Sequence, residues 1–505
     1  MATTHTVRTH PSSAHLGREA QLAWKLAEVA SDTTLATSDV SAMVANRVID
    51  NASVAVASVN RPAVRAARDQ ALSHSPSHGG VGANVMGEKV TLRTSPEWAA
   101  WANGVAVREL DFHDTFLAAD YSHPGDTIPA LIATAQHLQV EGEKLTRAIS
   151  VAYEIQVSLV KGMCLHEHKI DHIAHLAPAI AGGLGNLLEL PTSVIFDAIG
   201  QALHTSTATR QSRKGEISSW KAYAPAFAGK IAIESVDRAM RGETSPSPIY
   251  EGEDGFIAWM LGGKDAVYSI TLPDEGEPRS AILETYTKAH SAEYQAQALI
   301  DLAARLHLRH PELAHPGAIH TITIHTSHHT HFVIGSGSGD PQKYDPQASR
   351  ETLDHSLPYI FAVALQDGKW HHEESYAPER ARRQDTVDLW RKITTQEDPF
   401  WSARYHSADL SDKAFGGRVD IELSSGVHII DDIAVANAHP LGSSPFERED
   451  YIEKFRSLTS PFIPAPESTR FLDLAARLST LSSHEVAQLS VQVEGARTGS
   501  TKGLF

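Results

Sequence analysis

The sequence predicts a mainly α-helical protein with a second, smaller α+β domain. Apolar residues recur at a helical period from about residue 20 to residue 240, whereas short β-branched and alternating runs replace that period after about residue 270. The stretch 242–252, rich in Gly, Pro and Ser, separates the two patterns and indicates a boundary. A chain of 505 residues is long enough for at least two domains with separate cores.

Apolar stripes with a spacing near 3.6 residues predict the helices of the first half. Four such stripes begin at Val44, Ile128, Leu176 and Val194. The pair Gly182-Gly183 lies within the third stripe, where the absence of side chains lets a neighbouring helix approach closely. We expect these helices to pack into one domain, preceded by a loose polar tail of about fifteen residues.

The second half carries strand signals and then returns to helix. The β-branched run 319–325 predicts a strand, and the alternating pattern 419–429, interrupted by Ser424-Ser-Gly426, predicts a hairpin. Apolar residues between Leu472 and Leu481 again follow a helical spacing, and Ser482-Ser-His-Glu485 fits a capping box. We therefore expect a discontinuous all-helical domain, 1–270 with 432–505, and a smaller lid-like α/β domain, 271–431.

Charge and cysteine content exclude several classes of function. The 44 Lys and Arg face 61 Asp and Glu, and the resulting net charge of −17 disfavours nucleic acid as a partner. No segment reaches the roughly 18 apolar residues of a membrane span, and the first residues do not resemble a signal peptide, so we expect a cytoplasmic protein. Cys164 is the only cysteine, which excludes an intrachain disulfide and a thiolate-held iron–sulfur cluster.

The densest polar segment in an apolar context is 109–127, which combines acids, two histidines and several hydroxyls. His123 precedes a predicted helix that is capped by Asp126 or Thr127. Free backbone N–H groups and the positive end of the helix dipole make such a position suitable for an anion. The alternative interpretation is a solvated loop with a capping aspartate.

A second segment, 164–175, is rich in histidine. If it were helical, His168, His172 and His175 would share one face, and with Asp171 they could bind zinc or manganese. The spacing fits no established metal motif, so local hydrogen bonding or acid–base chemistry is the alternative. The histidines of 319–331 are expected to decorate a strand and an exposed turn.

A third segment places four cations within twelve residues of an acidic protein: Arg210, Arg213, Lys214 and Lys221. Such a group suits a small polyanion, and a helix is predicted to open at Pro225 directly after it. A solvated basic loop is the alternative. The glycine-rich run 335–339 is not a dinucleotide site, because Asp340-Pro341 interrupts the helix that would have to follow.

Together these residues resemble the MmgE/PrpD family, in particular its members that dehydrate 2-methylcitrate and, more distantly, those that decarboxylate cis-aconitate. The resemblance covers nearly the whole chain. It is carried by Asn103-Gly104, Leu110–Thr115, Ser122-His123-Pro124, Asp171-His172, Lys221, Lys288 with Ala292-Glu293, Arg350–Tyr359 and Val363–Gly368. The chain departs from the family pattern at His113, where an acid is usual, and at Ala289-His290-Ser291.

The resemblance implies a homodimer with an active site between a helical and an α/β domain, and no required metal or other cofactor. It implies catalytic or substrate-binding roles for six positions of this sequence, namely Asp111, Thr115, His123, His172, Lys221 and Lys288. The expected activity is that of a hydro-lyase independent of iron–sulfur clusters. It would convert 2-methylcitrate to 2-methyl-cis-aconitate in the methylcitrate cycle of propionate catabolism, with citrate as a possible second substrate.

Dehydration of a 3-hydroxy tricarboxylate needs a base, an acid and cations for the enolate-like charge. We expect Asp111 to act as the base and His123 as the acid, although the order can be reversed. His172 is expected to serve as a proton relay, and Arg210 to join the two lysines as a binding cation. The alternatives are a decarboxylase-like enzyme, a metal-dependent hydrolase that uses His166–His175, and a ligand-binding protein without turnover.

Overall fold

The computed structural model describes residues 2–74, 81–407, 409–496 and 503–504. The first half of the chain forms the following helices: α1 (Leu22–Ser31), α2 (Ser38–Ala57), α3 (Pro62–Ser73), α4 (Pro96–Arg108), α5 (Ile128–Leu138), α6 (Gly142–Gly162), α7 (Ile173–Leu187), α8 (Thr192–Ser206), α9 (Trp220–Met240) and α10 (Phe256–Met260). Its strands are short: β1 (Thr3–Arg8), β2 (Ala83–Asn84), β3 (Arg93–Thr94), β4 (Phe116–Leu117), β5 (Tyr121–Ser122) and β6 (Val267–Leu272).

The second half alternates helices and strands: α11 (Tyr294–Arg309), β7 (Ile319–Thr326), α12 (His328–Val333), α13 (Arg350–Leu353), α14 (Leu357–Asp367), α15 (Pro378–Ala381), α16 (Gln384–Trp390), β8 (Ile393–Glu397), α17 (Pro399–Tyr405), β9 (Gly417–Leu423) and β10 (His428–Ile433). It ends with α18 (Arg448–Thr459), α19 (Ala465–Ala476) and α20 (Ser483–Val486). This distribution confirms the predicted fold class. No helix among the described residues combines the length and apolarity that a bilayer crossing requires.

The helices of the first half share one apolar core. Gly183 of α7 faces Ala152 of α6 so closely that an added Cβ would lie 2.8 Å from the Ala152 Cβ, as the glycine pair predicts. Tyr451 and Phe455 of α18 and Phe471 of α19 belong to the same core. These contacts favour the proposed discontinuous helical domain, 1–270 with 432–505.

The α/β part is built on a four-stranded mixed sheet with the order β10-β9-β7-β8. Strands β9 and β10 form the predicted hairpin, β7 runs antiparallel to β9, and β8 is parallel to β7. Ile322 and Ile324 of β7 pack with α11, α14 and α16 in a second apolar core. The predicted capping box at Ser482 is also present, at the start of α20.

Three local predictions are wrong. The exposed turn expected for the last histidines of 319–331 is helix α12, whose N-cap Ser327 accepts a hydrogen bond from the Thr330 N–H. Residues 3–8 of the predicted tail form strand β1, because β6 provides hydrogen-bonding partners from a distant part of the chain; Met1 lies outside the described residues. Helix α9 begins at Trp220 and contains Pro225 in its interior. Pro225 has no N–H for the carbonyl of Lys221, and Arg213 Nη1 donates to that carbonyl instead at 3.3 Å.

Candidate active site

Asp111 lies at the centre of a buried group of charges. Its carboxylate is 2.6 Å from Arg108 Nη1, 2.8 Å from Lys221 Nζ and 2.6 Å from Lys288 Nζ. The residue follows the C-terminal end of α4 with a left-handed backbone (φ 49°), a region that few non-glycine residues occupy. Lys288 also donates to the Asp111 carbonyl at 3.0 Å, so the same ammonium group fixes the side chain and the backbone.

The α/β part supplies a second carboxylate to this group. Lys221 Nζ lies 2.8 Å from both oxygens of Asp354, which directly follows α13. The ring of His355 hydrogen bonds to Asp354, and Arg350 Nη1 is 3.6 Å from the same carboxylate. We call Arg108, Asp111, Lys221, Lys288 and Asp354 the Asp111 cluster.

The charges of the Asp111 cluster keep both carboxylates ionised. Burial raises the pKa of Asp111, but Arg108, Lys221 and Lys288 outweigh it and hold that pKa well below its ordinary value. The pKa of Asp354 is lowered in the same way, because Lys221 and His355 overcome its burial. The carboxylate of Asp111 is therefore a weak proton acceptor at neutral pH.

His123 lies between β5 and the 3₁₀ turn Pro124–Thr127 that leads into α5, so the predicted position before a helix N-terminus is present with one extra turn. Its Nδ1 lies 2.9 Å from the Asp114 carbonyl, which can only accept, so Nδ1 carries the proton and Nε2 has a free lone pair. Burial, then Arg108 and Lys288, lower the pKa of His123 well below its ordinary value, against the opposing charge of Asp111. His123 is a neutral ring with an available acceptor.

His172 has a different environment. Its Nδ1 is 3.0 Å from Asp171, whereas the nearest acid to its Nε2 is Asp126 at 3.9 Å. Asp171 is buried, yet Arg213 and His172 hold its pKa well below the ordinary value. The ionised Asp171 therefore accepts the Nδ1 proton of His172 and fixes the orientation of its ring. The ring centroids of His172 and His123 are 5.6 Å apart.

Two residues predicted for the site have other partners. The Thr115 hydroxyl donates to the Ser122 carbonyl at 3.0 Å, and its backbone pairs with Tyr286. Arg210 donates from Nε to the Tyr121 hydroxyl at 2.8 Å. Thr115 therefore supports the turn that carries His123, and Arg210 lines a neighbouring cavity.

Several residues of the site have no role that the sequence predicts. Arg108 precedes Asp111 by three residues, a spacing that signals a local ion pair. Arg350, Asp354 and His355 lie within a segment that carries the family resemblance, but nothing in their spacing indicates a contact with Lys221. The spacing of Glu293, at the start of α11, gives no such indication either. Burial raises the pKa of Glu293 to about 7 despite the opposing charge of Lys288.

The histidine-rich segment is not helical over 164–172, so it does not form the metal-binding face that a helix would have produced. Residues 163–172 form turns, and α7 begins only at Ile173. His175 Nε2 bonds the Met163 carbonyl and His172 bonds Asp171, so the rings have separate partners. Within the described ranges, the metal-ligand atoms that converge belong to Asp111, Asp354 and His355, and the Lys221 ammonium group already lies between the two carboxylates.

Fold and site define a protein with a helical body, a mixed α/β part and a buried acid–base centre that both parts build. Comparisons with known sequences show which family has this architecture. Residues 20–269 match the MmgE/PrpD N-terminal domain, and residues 290–480 match the MmgE/PrpD C-terminal domain. The chain belongs to the MmgE/PrpD family.

Named relatives come from bacteria and yeast. A 2-methylcitrate dehydratase of Salmonella typhimurium is 25% identical over 445 residues, which are 81% of this chain and 85% of the relative. A 2-methylcitrate dehydratase of Cupriavidus necator is 26% identical, with coverage of 80% and 84%. A probable 2-methylcitrate dehydratase of Saccharomyces cerevisiae is 25% identical, with coverage of 79% and 78%.

Replacement of Lys221 by Met is expected to destabilise the fold. Asp111 and Asp354 would lose the cation that they share, and breaking a buried ion pair costs about 3–5 kcal/mol. Because both folded pKa values lie below those of the unfolded chain, this contribution is present above about pH 4 and is lost as the pH falls through the folded values. Urea unfolding at pH 7 measures the change.

Lys230→Met is the matched control, since Lys230 lies on the same helix and pairs with the partly exposed Glu234. We expect this control to lose no more than about 1 kcal/mol. Equal losses for the two variants would contradict the assignment of Lys221 as the shared cation of the Asp111 cluster.

Proposed function

We propose that the protein is a hydro-lyase that removes water from 2-methylcitrate to give 2-methyl-cis-aconitate, a reaction of the methylcitrate cycle. The observation that carries this proposal is the Asp111 cluster beside His123 and His172. Two of the relatives named above are 2-methylcitrate dehydratases and a third is a probable one, which supports the same substrate. A homodimer without a required metal is part of the proposal and rests on the family resemblance.

The charge of the cluster suits a tricarboxylate. Three cations face two carboxylates, and Arg350 adds a further positive charge close to Asp354. This positive excess is buried, where charge–charge interactions are much stronger than in water. Lys221 and Lys288 are thus suited to hold substrate carboxylates and to stabilise the negative charge that develops when the neighbouring carbon loses its proton.

The pKa directions favour a reversal of the expected roles of Asp111 and His123. His123 Nε2, free and unprotonated, is the better base for the C–H beside the substrate carboxylate. His172, which Asp171 orients through Nδ1, is assigned as the donor to the departing hydroxyl. The base gains one proton, the acid loses one, water leaves, and proton return between the rings restores the starting state.

Product analysis tests the proposed reaction. The protein is incubated separately with 2-methylcitrate, citrate and cis-aconitate, with and without EDTA, and products are identified by NMR. We expect 2-methyl-cis-aconitate from 2-methylcitrate, at a rate that EDTA does not change. Decarboxylation of cis-aconitate alone, tricarboxylate binding without turnover, or complete loss of activity in EDTA would contradict the proposal in favour of the corresponding alternative.

Exchange of the substrate C–H in deuterated solvent separates the two histidines. Because His123 is assigned as the base, His123→Ala should lose exchange and dehydration together, by about 10²–10⁴-fold. His172→Ala should lose dehydration but keep measurable exchange. His204→Ala, an exposed position on α8, is the control and should keep both. Normal exchange in His123→Ala, with none in an Asp111→Asn variant, would restore the original assignment of Asp111 as the base.

A further inference from the structure

A cavity of about 310 Å³ lies between the helical part and the α/β part. Its wall carries Lys169, Arg210, Arg213, Lys214 and Lys343 together with His166. We call this the basic cavity. A single carboxylate, Asp340, is among its lining residues. So many cations around one small space are unusual in a protein with a net charge of −17.

Two cations lie at the buried end of the basic cavity. Lys343 is buried, and its Nζ donates to the carbonyls of Val333 at 2.9 Å and His355 at 2.7 Å. Arg213 is 7% exposed, and its Nη2 has no hydrogen-bond partner among the described residues. His166 Nδ1 likewise has none there. Five cations and one carboxylate line this space, so its walls favour an anionic ligand.

The same residues connect the basic cavity to the catalytic centre. Arg213 Nε is 3.2 Å from Asp171, the partner of His172, and Arg213 Nη1 donates to the Lys221 carbonyl. From the opposite wall, Lys343 holds the carbonyl of His355. Asp111 and Lys288 are 1% and 0% exposed, because other residues cover them. A substrate must therefore first bind at a more accessible place.

We propose that the basic cavity is the capture site at which the polycarboxylate substrate binds before it enters the buried Asp111 cluster. The proposal rests on the proposed function, since it takes the tricarboxylate as the ligand. Lys169 and Lys214 are exposed and form the rim, where they attract the anion. Arg213 and Lys343 form the deep end, where several carboxylates can be bound at once.

The test uses the double variant Lys169→Ala/Lys214→Ala, because both side chains are exposed and their loss leaves the core intact. We expect kcat/KM for 2-methylcitrate to fall about tenfold at low ionic strength, and the difference from the wild type to shrink as salt screens the rim. Binding of tricarballylate, an unreactive tricarboxylate, measured by calorimetry, should weaken in parallel.

Lys89→Ala/Lys264→Ala is the matched control, since it removes the same charge from two exposed lysines that do not line the basic cavity. We expect its kcat/KM to stay within about twofold of the wild type. Equal effects of the two double variants, or no effect of either, would overturn the capture site while the dehydratase activity of the wild type still stood. Wild-type protein that binds tricarballylate at the rim lysines but converts none of the three substrates would instead refute the proposed function alone.

Discussion

The ion pairs of Asp111 with Arg108, Lys221 and Lys288 constrain the geometry of the site and the packing of the two parts of the molecule. Taking these charges out of water is expensive, and the mutual attraction of buried charges offsets that cost only when every partner is in place. The aspartate also holds a left-handed backbone, a conformation that the surroundings must enforce in a non-glycine residue. Such an arrangement is weak evidence for stability. It is better explained by a requirement for fixed charge at this point, which a reaction on a polyanion provides.

The same interactions join the two parts of the molecule. Lys221 on α9 reaches Asp354 beside α13, and Arg350 Nη2 donates to the Leu110 carbonyl at 3.2 Å. Lys454 of α18 donates to the carbonyls of Phe112 and Lys288 and pairs with Asp50, which ties the C-terminal helices to the same centre. The site is therefore complete only when the helical part and the α/β part are packed together.

Sequence reasoning succeeded where the signal is local. The stripes of α2, α5, α7 and α8, the β9–β10 hairpin and the capping box of α20 all depend on residues close in the chain. It failed for β1, whose partner β6 lies more than 250 residues away. It also missed Asp354, because nothing near that residue indicates that Lys221 will lie beside it.

His123 and His172 show in the same way that contacts formed only on folding cannot be predicted from the sequence. Both were found from their sequence context, but their roles depend on what accepts each Nδ1 proton, a carbonyl for His123 and a carboxylate for His172. The carbonyl belongs to Asp114, nine residues away, and only the folded turn brings it to His123. The positions of these residues could be predicted from the sequence, whereas the hydrogen-bond partners that decide their roles could not.

The charge state of His123 is the central claim, and ¹⁵N NMR of histidine-labelled protein measures it directly. The resonances that disappear in His123→Ala assign the ring. At pH 6, without substrate, we predict a neutral ring with its proton on Nδ1, because burial, Arg108 and Lys288 lower its pKa below the ordinary value. Imidazolium shifts for His123 at that pH would contradict the account.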